Sequence, residues 1–319
     1  MKPLSPEPGR APPTCTICGR RPSIYYRPYS GERLCSSCLT ESVKEKVQRT
    51  ISRFEMFEHN NRIAVAVSGG KDSLNLLHIL VDIERHYPRA ELIAVSIDEG
   101  ICGYRDEALE YARRACRTLG IEHLVLSFRE LFGLTLDEIV DKTAGRELKP
   151  CSYCGVLRRR ALNMAAKIVE ADRLATAHTL DDMAQTALLN IMRGDLKLLA
   201  SNHPSGRKLP GFVRRVKPYC EVPERESALL AYLKGIEFQI HRCPYSEEAM
   251  RSDVRSFLNQ MEARRPGTLY IIYRTSLELA SRLGIDAELL GVCSVCGEPT
   301  SGGICRVCRL LTEIGAIDK

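Results

Sequence analysis

Between Arg62 and Arg193 the chain switches repeatedly between two hydrophobic periods. RIAVAV at Arg62–Val67 is a short, almost unbroken apolar run, the pattern of a strand buried on both faces. Asp72–His86 then places Leu74, Leu77, Ile79, Leu80 and Ile83 on most of one helical face. A second strand is predicted over Glu91–Ile97, a helix over Arg105–Leu119 and a third strand over Glu122–Ser127. Leu157, Ala161, Met164, Ala165 and Ile168 recur at helical spacing and predict a helix over Val156–Glu170. A short fourth strand at Leu174–Ala177 and a helix at Asp181–Arg193 complete the series. Such alternation predicts an α/β, doubly wound parallel sheet of Rossmann-like form, with its ligand crevice at the carboxyl ends of the strands. Ser42–Glu58 is predicted to be helical and to link the first cysteine-rich segment to this body. Ser201–Pro218 is polar and basic and is expected to be a loop; helices are expected over Glu224–Lys234, Glu247–Ala263 and Pro266–Leu283.

The pattern divides the 319 residues into a flexible, proline-rich tail (1–14), a compact cysteine unit (15–42), the α/β body (43–285) and a second cysteine unit (286–319). No apolar run approaches the ~20 residues that cross a bilayer. The first residues lack the apolar core of a secretory signal, so a cytoplasmic protein with no membrane association is expected. The formal charge of +6 is mild, but its distribution is uneven. Lys197–Lys217 holds six basic residues and no acidic one; Lys142–Arg160 holds six against Glu147 alone. Patches of this kind suit a polyanion.

The first strand runs directly into Ser68-Gly69-Gly70-Lys71-Asp72-Ser73. Two glycines let backbone N–H groups approach an anion, two serines offer hydroxyls, Lys71 adds charge, and the next helix presents its positive end. This is a phosphate cradle, although it has neither the G-x-x-x-x-G-K-[ST] nor the G-x-G-x-x-G spacing. An aspartate inside it repels phosphate unless Asp72 holds Mg²⁺ or the site cleaves between the α and β phosphates.

Fourteen cysteines include five C-x-x-C pairs. Cys15, Cys18, Cys35 and Cys38, with sixteen residues between the pairs, have the spacing of a four-thiolate Zn²⁺ site. So do Cys293, Cys296, Cys305 and Cys308, with eight between. Both are expected to be structural, since no coordination position is left open. Cys151 and Cys154 stand apart inside the body. A third thiolate from Cys102, Cys116, Cys220 or Cys243 would make a site with one metal position free; the rival is a redox pair carrying a persulfide.

AVSGGKDS resembles the pyrophosphate loop of the PP-loop ATP pyrophosphatases. Ser96–Gly100, at the end of the second strand, and Ala177-His178-Thr179-Leu180-Asp181-Asp182 resemble that group's other ATP segments, with Ala177 and Thr179 departing from its Gly and Asn. CSYCGVLRRR, with SIDEGICGYRDEAL upstream, resembles the tRNA 2-thiouridine synthetases, and within them the archaeal and eukaryotic cytosolic enzymes that act on the wobble uridine. The resemblance runs from Cys15 to about Leu311. It implies ATP bound by Ala66, Ser68, Gly69, Gly70, Lys71, Asp72, Ser73, Ile97, Arg158 and Ala177, with Mg²⁺ near Asp72. It implies two Zn²⁺, and a 4Fe–4S cluster on Cys151, Cys154 and Cys243, the last because Cys243-Pro244 precedes a helix. It implies adenylation of uridine O2 at position 34 and sulfur transfer to C2. Lys71, Asp72, Asp182 and the three cysteines are then the catalytic set. The partners implied are tRNA, a sulfur donor (a thiocarboxylated ubiquitin-like protein or sulfide) and a second copy in a homodimer. Thiolation at uridine 54 or cytidine 32, a lysine-adding tRNA ligase with the same ATP loop, and a non-catalytic zinc-ribbon tRNA-binding module are the alternatives.

Overall fold

The computed structural model describes residues 13–146, 148–245, 249–283 and 291–317. The chain begins with an antiparallel hairpin, β1 (Tyr25–Arg27) and β2 (Glu32–Leu34), and helix α1 (Ser36–Arg53). The body follows: β3 (Arg62–Ala66), α2 (Lys71–Glu84), β4 (Glu91–Asp98), α3 (Arg105–Leu119), β5 (Glu122–Ser127), α4 (Phe128–Phe132), α5 (Leu136–Lys142), α6 (Pro150–Ile168), β6 (Arg173–Ala175), α7 (Leu180–Met192), α8 (Leu196–Ser201), β7 (Arg214–Val216) and α9 (Glu224–Leu233). Helices α10 (Ala249–Arg264) and α11 (Thr268–Arg282) lead to a second hairpin, β8 (Gly291–Val292) and β9 (Pro299–Thr300), and a last helix, α12 (Arg306–Glu313).

The sheet is parallel throughout, in the order β5-β4-β3-β6-β7. The two-residue period divides its side chains between two cores. Ile63, Val65, Leu92, Ala94, Ala175 and Val216 pack with residues of α1, α2, α3 and α9. Ala64, Ile93, Val95, Ile97 and Leu174 pack with residues of α5, α6 and α12. The strand order reverses between β3 and β6, so the crevice expected at a topological switch point opens where Val67–Gly70 faces Ala177–Thr179. A smaller core joins α7, α10 and α11 through Leu180, Met183, Val254, Leu258, Leu269 and Tyr273.

Several expectations are corrected. The linking helix starts at Ser36, not Ser42, because the Cys35 sulfur caps it by accepting the Cys38 N–H; the boundary drawn at 42/43 therefore falls inside α1. It stops at Arg53, just before Glu55 turns to φ 47°. The helix expected from Val156 begins at Pro150, which fills the first helical position where its missing N–H costs nothing. The loop expected over Ser201–Pro218 contains β7, a fifth strand whose N-terminal neighbour in space is β6. Pro13 and Thr14, assigned to the tail, belong to the first cysteine unit: the Ser23 N–H donates to the Pro13 carbonyl, and Thr14 bridges Pro22. The rest of that tail and the 285/286 boundary lie outside the described residues.

One buried carboxylate docks the N-terminal unit on the body. Glu226 of α9, fully buried, accepts from Arg27 Nε at 2.9 Å, Tyr29 Oη at 2.5 Å and Lys46 Nζ at 3.3 Å. Removing one partner of such a group strands the others without a counter-charge. Glu226→Ala is therefore expected to destabilise the protein by about 3–5 kcal/mol, read from urea unfolding midpoints. A midpoint equal to that of the parent would show that the network adds nothing to docking.

Candidate functional site: a glycine loop and three cysteines on one rim

The glycine loop owes its shape to Gly69. With φ at 82° it occupies the left-handed region, and a Cβ there would run into the Ala108 carbonyl of α3. Gly70 at the start of α2 has no such neighbour; its Cβ would meet only Ser68 Oγ, at 3.5 Å. The α2 N-terminus has no side-chain cap, which leaves its N–H groups facing the crevice. Ser73 Oγ accepts from the Ser68 N–H at 3.0 Å and donates to the Gly70 carbonyl at 2.9 Å, closing the turn from within.

Arg105 braces the loop from behind. Buried at the start of α3, it donates to the Ser68 carbonyl at 2.7 Å and the Ile97 carbonyl at 2.8 Å, and pairs with buried Glu99 at 2.9 Å. Sequence reasoning did not single it out, because an arginine opening an amphipathic helix looks like solvent-facing charge. Ile97, expected against a nucleotide, has its side chain in the core; Ala66 and Ala177 are half-buried nearer the rim.

Four acids gather around Lys71. Its Nζ lies 3.0 Å from both Asp72 Oδ2 and Glu224 Oε1. Ser227 Oγ donates to Asp72 Oδ1 at 2.6 Å. Burial raises the Asp72 carboxyl above its ordinary value against the pull of Lys71, and pushes Asp181 up to about 6. Asp181 accepts the Glu224 N–H at 2.7 Å. Asp182 Oδ2 accepts from the Thr179 N–H and hydroxyl, each at 3.0 Å, in the capping box of α7. One oxygen of Asp182 thus orders the ATP-like segment itself. His178, bonded to Thr176 Oγ1 at 2.9 Å, is pushed down to about 4 by burial and is neutral near pH 7.

Because α6 starts at Pro150, Cys151 and Cys154 sit three apart in its first turn, at the positive end of the helix and on one face. Cys151 Sγ donates to the Tyr245 carbonyl at 2.9 Å, two residues beyond Cys243. Cys154 and Cys243 both pack against the α6-side core. Burial pushes the Cys154 thiol up to about 12; Arg158 opposes the shift, while Glu99, Cys243 and Cys151 add to it. Arg158 Nη1 stands 3.6 Å from Glu99 Oε1, so Glu99 links the two arginines that serve the loop and the cysteines. Of the other candidate thiols, Cys116 and Cys220 lie in apolar cores and Tyr273 Oη takes up the Cys220 sulfur at 3.3 Å. Cys102 is exposed, its N–H on Asp137, which also accepts from Tyr245 Oη. Tyr153 between the two cysteines is core, 1% exposed.

Each terminal unit brings four sulfurs within 4.8 Å of one another. Cys18 and Cys35 sulfurs are 4.0 Å apart, Cys296 and Cys305 3.8 Å. Four thiolates at the zinc–sulfur distance stand about 3.8 Å apart. The Cys18 backbone N–H pulls Cys15 down to about 6, whereas burial and the other thiols push Cys38 up to about 12. A cation between the four sulfurs would favour their ionised forms. Cys151, Cys154 and Cys243 do not form such a close group: among the described residues only the two terminal sets do.

Residues 39–262 match the family described as the PP-loop domain, and residues 14–40 the N-terminal LIM domain of 2-thiouridine synthetase TtuA. The chain is 38% identical to tRNA 2-thiolation protein NcsA of Haloferax volcanii, over 95% of this chain and 99% of that protein. It is 36% identical to cytoplasmic tRNA 2-thiolation protein 1 of Laccaria bicolor, over 94% and 85%. Among solved structures, U34-tRNA thiolase NcsA from Methanococcus maripaludis with its 4Fe–4S cluster superimposes with a TM-score of 0.85 at 36% identity, covering 96% of this chain and 98% of that one.

Gly69→Ala is expected to lower the thermal midpoint and abolish ATP binding, since the left-handed turn and the Ala108 carbonyl both resist a side chain. Gly70→Ala should cost less than about 1 kcal/mol, because Gly70 makes no side-chain capping bond that could be lost and its φ of −85° suits any residue. Equal midpoints for the two variants would contradict the loop geometry.

Proposed function

The chain belongs to the PP-loop family of tRNA 2-thiolation proteins, and from that premise we propose that it is an ATP-dependent tRNA-uridine 2-sulfurtransferase acting at wobble position 34. One observation carries the reading beyond membership: the glycine loop and the Cys151, Cys154 and Cys243 set share one rim of the sheet, joined through Arg105, Glu99 and Arg158. An ATP loop alone serves many reactions, and three thiols beside it suit sulfur chemistry.

In this reading ATP lies on Ser68–Ser73 with its adenine toward Ala66, Ile97 and Ala177. Lys71 turns from Asp72 and Glu224 to the phosphates. Asp72, with Asp181 and Asp182 nearby, would hold Mg²⁺, whose charge offsets that of the polyphosphate. Uridine O2 attacks the α-phosphate and pyrophosphate leaves; Lys71 and Arg158 stabilise the charge that develops. A sulfur nucleophile then adds to C2, and collapse of the adduct expels AMP. Water at the same carbon would restore uridine, so the half-buried cysteine recess must exclude it.

Cys151, Cys154 and Cys243 would hold the 4Fe–4S cluster, and Arg158 and the α6 N-terminus would offset its negative charge. When bound by three thiolates, such a cluster supplies one iron open to an external sulfur ligand. The terminal Cys₄ sets would each hold one Zn²⁺, for which their sulfur spacing is suited. The basic surface takes tRNA through its phosphates. The donor is a thiocarboxylated ubiquitin-like protein or free sulfide, and the protein is a cytoplasmic homodimer. No helix among the described residues is long and apolar enough to cross a membrane.

Asp72→Ala is expected to abolish tRNA-dependent pyrophosphate release while tRNA still binds; normal release would remove the Mg²⁺ role of Asp72. Cys243→Ala, purified without oxygen, should lose the iron absorption and the 2-thiouridine product but keep adenylation, followed by iron assay, nucleoside analysis and pyrophosphate release. An intact iron signature there would move the third ligand to another residue.

A further inference from the structure

The two basic stretches look alike in sequence, yet the fold gives several of their charges local partners. Arg160 pairs with Glu298 at 2.8 Å and donates to Cys296 Sγ at 3.4 Å. Arg146 donates to the Glu313 carbonyl, Arg214 Nε to the Gly206 carbonyl, and Arg158 faces Glu99. Arg159, Arg215 and Lys217 have no carboxylate within ion-pair distance among the described residues, although Asp182 favours the charge on Lys217.

Their positions converge. Arg215 stands opposite Leu174 in the β6–β7 register, and Leu174 belongs to the core under α6. Neighbouring residues of parallel strands share a face, so Arg215 projects to the α6 side. Lys217, two residues on, continues on that side at the carboxyl end. On α6 itself the Arg159 guanidinium folds back over Gly155, where a Cβ would meet Nη1 at 3.4 Å, and so lies beside Cys154. Arg215 Nε is buried with no acceptor, and Lys217 Nζ has only the neutral Asn202 Oδ1, at 3.2 Å. Burial, joined by Arg159 and Arg158, holds Arg215 down to about 10; burial, opposed by Cys220 and Asp182 and joined by Arg215, holds Lys217 down to about 8. Arg159 is exposed and partly met by water, but Arg215 and Lys217 are half-buried like charges beside one another, and an anion in the recess between α6 and β7 would lower their cost.

We propose that Arg159, Arg215 and Lys217 form a receptor for a phosphodiester of the tRNA strand beside the target nucleotide, fixing the base between the glycine loop and Cys154. This rests on the tRNA reading given above. Arginine forks match phosphate oxygens in geometry as well as charge. ATP is the less suitable occupant: β7 lies two strands from β3, about 10 Å across the sheet from the glycine loop that holds the nucleotide phosphates.

The test uses full-length protein prepared anaerobically, with Arg215→Gln, Lys217→Gln and Arg215→Lys variants. Labelled tRNA transcript is titrated at several salt concentrations, ATP affinity is measured separately, and thermal midpoints are recorded. Arg215→Gln and Lys217→Gln are each expected to weaken tRNA binding about tenfold and to reduce the slope of log affinity against log salt by about one. ATP affinity should be unchanged, the midpoint equal or higher as repulsion is relieved, and Arg215→Lys should recover part of the affinity. Parental tRNA affinity and salt slope in both Gln variants overturn the receptor alone, as does a loss confined to ATP or one accompanied by a lower midpoint. Parent protein that binds no tRNA overturns the functional reading as well.

Discussion

A single carboxylate with no access to water, Glu226, determines how the molecule is assembled. It is tolerable only because Arg27, Tyr29 and Lys46 converge on it from the N-terminal unit and α1. The same turn of α9 sends Glu224 to Lys71 and Ser227 to Asp72. Successive helical residues diverge by about 100°, so one turn reaches the terminal unit on one side and the glycine loop on the other. The cysteine unit at the start of the chain is thereby tied to the loop through three side chains rather than by a loose tether.

The second organising element is the reversal of strand order beside β3. Without it the loop after β3 and the segment after β6 would be covered by a crossover helix. With it they face each other across open space, and the α6 cysteines border the same opening. A short strap completes the arrangement: four residues before Cys243, the Gln239 N–H donates to the Gly69 carbonyl at 3.1 Å and its side-chain amide reaches the Tyr104 carbonyl. The chain that braces the glycine loop thus runs on to the Cys243 segment beside α6.

Legibility in the sequence followed the strength of local periodicity. Arg105–Leu119 and Glu122–Ser127 coincide with α3 and β5 because the first has clear amphipathic spacing ended by Gly120 and the second is a short apolar run directly after that turn. β7 escaped notice because RRV offers one buried residue in three and exists only by pairing with β6. The start of α6 was misplaced because its first turn holds cysteines and a serine instead of aliphatic residues, although Pro150 was available as a signal. The terminal cysteine sets could be read from spacing alone, since a knuckle fixes its own geometry. Cys243 could not be linked to Cys151 and Cys154 by spacing, being far from them in sequence; resemblance alone proposes that set, and the Cys151–Tyr245 contact is what brings the Cys243 segment to α6. Arg158, Arg159 and Arg160 show the limit most clearly. As letters they are one basic run; on a helix they diverge toward a buried glutamate, an open recess and a cysteine unit.

Parallel strands leave the two rims of the sheet chemically unequal. The candidate chemistry occupies the carboxyl rim, while the turns entering the strands, at Asn60–Asn61, Arg89–Ala90, Gly120–Ile121 and Ala171–Asp172, form the other. A fluorophore, affinity handle or surface linkage attached at exposed position 89, through Arg89→Cys, would stand a full strand length from every group assigned to catalysis, which makes that rim the natural place to immobilise the protein for handling under anaerobic conditions.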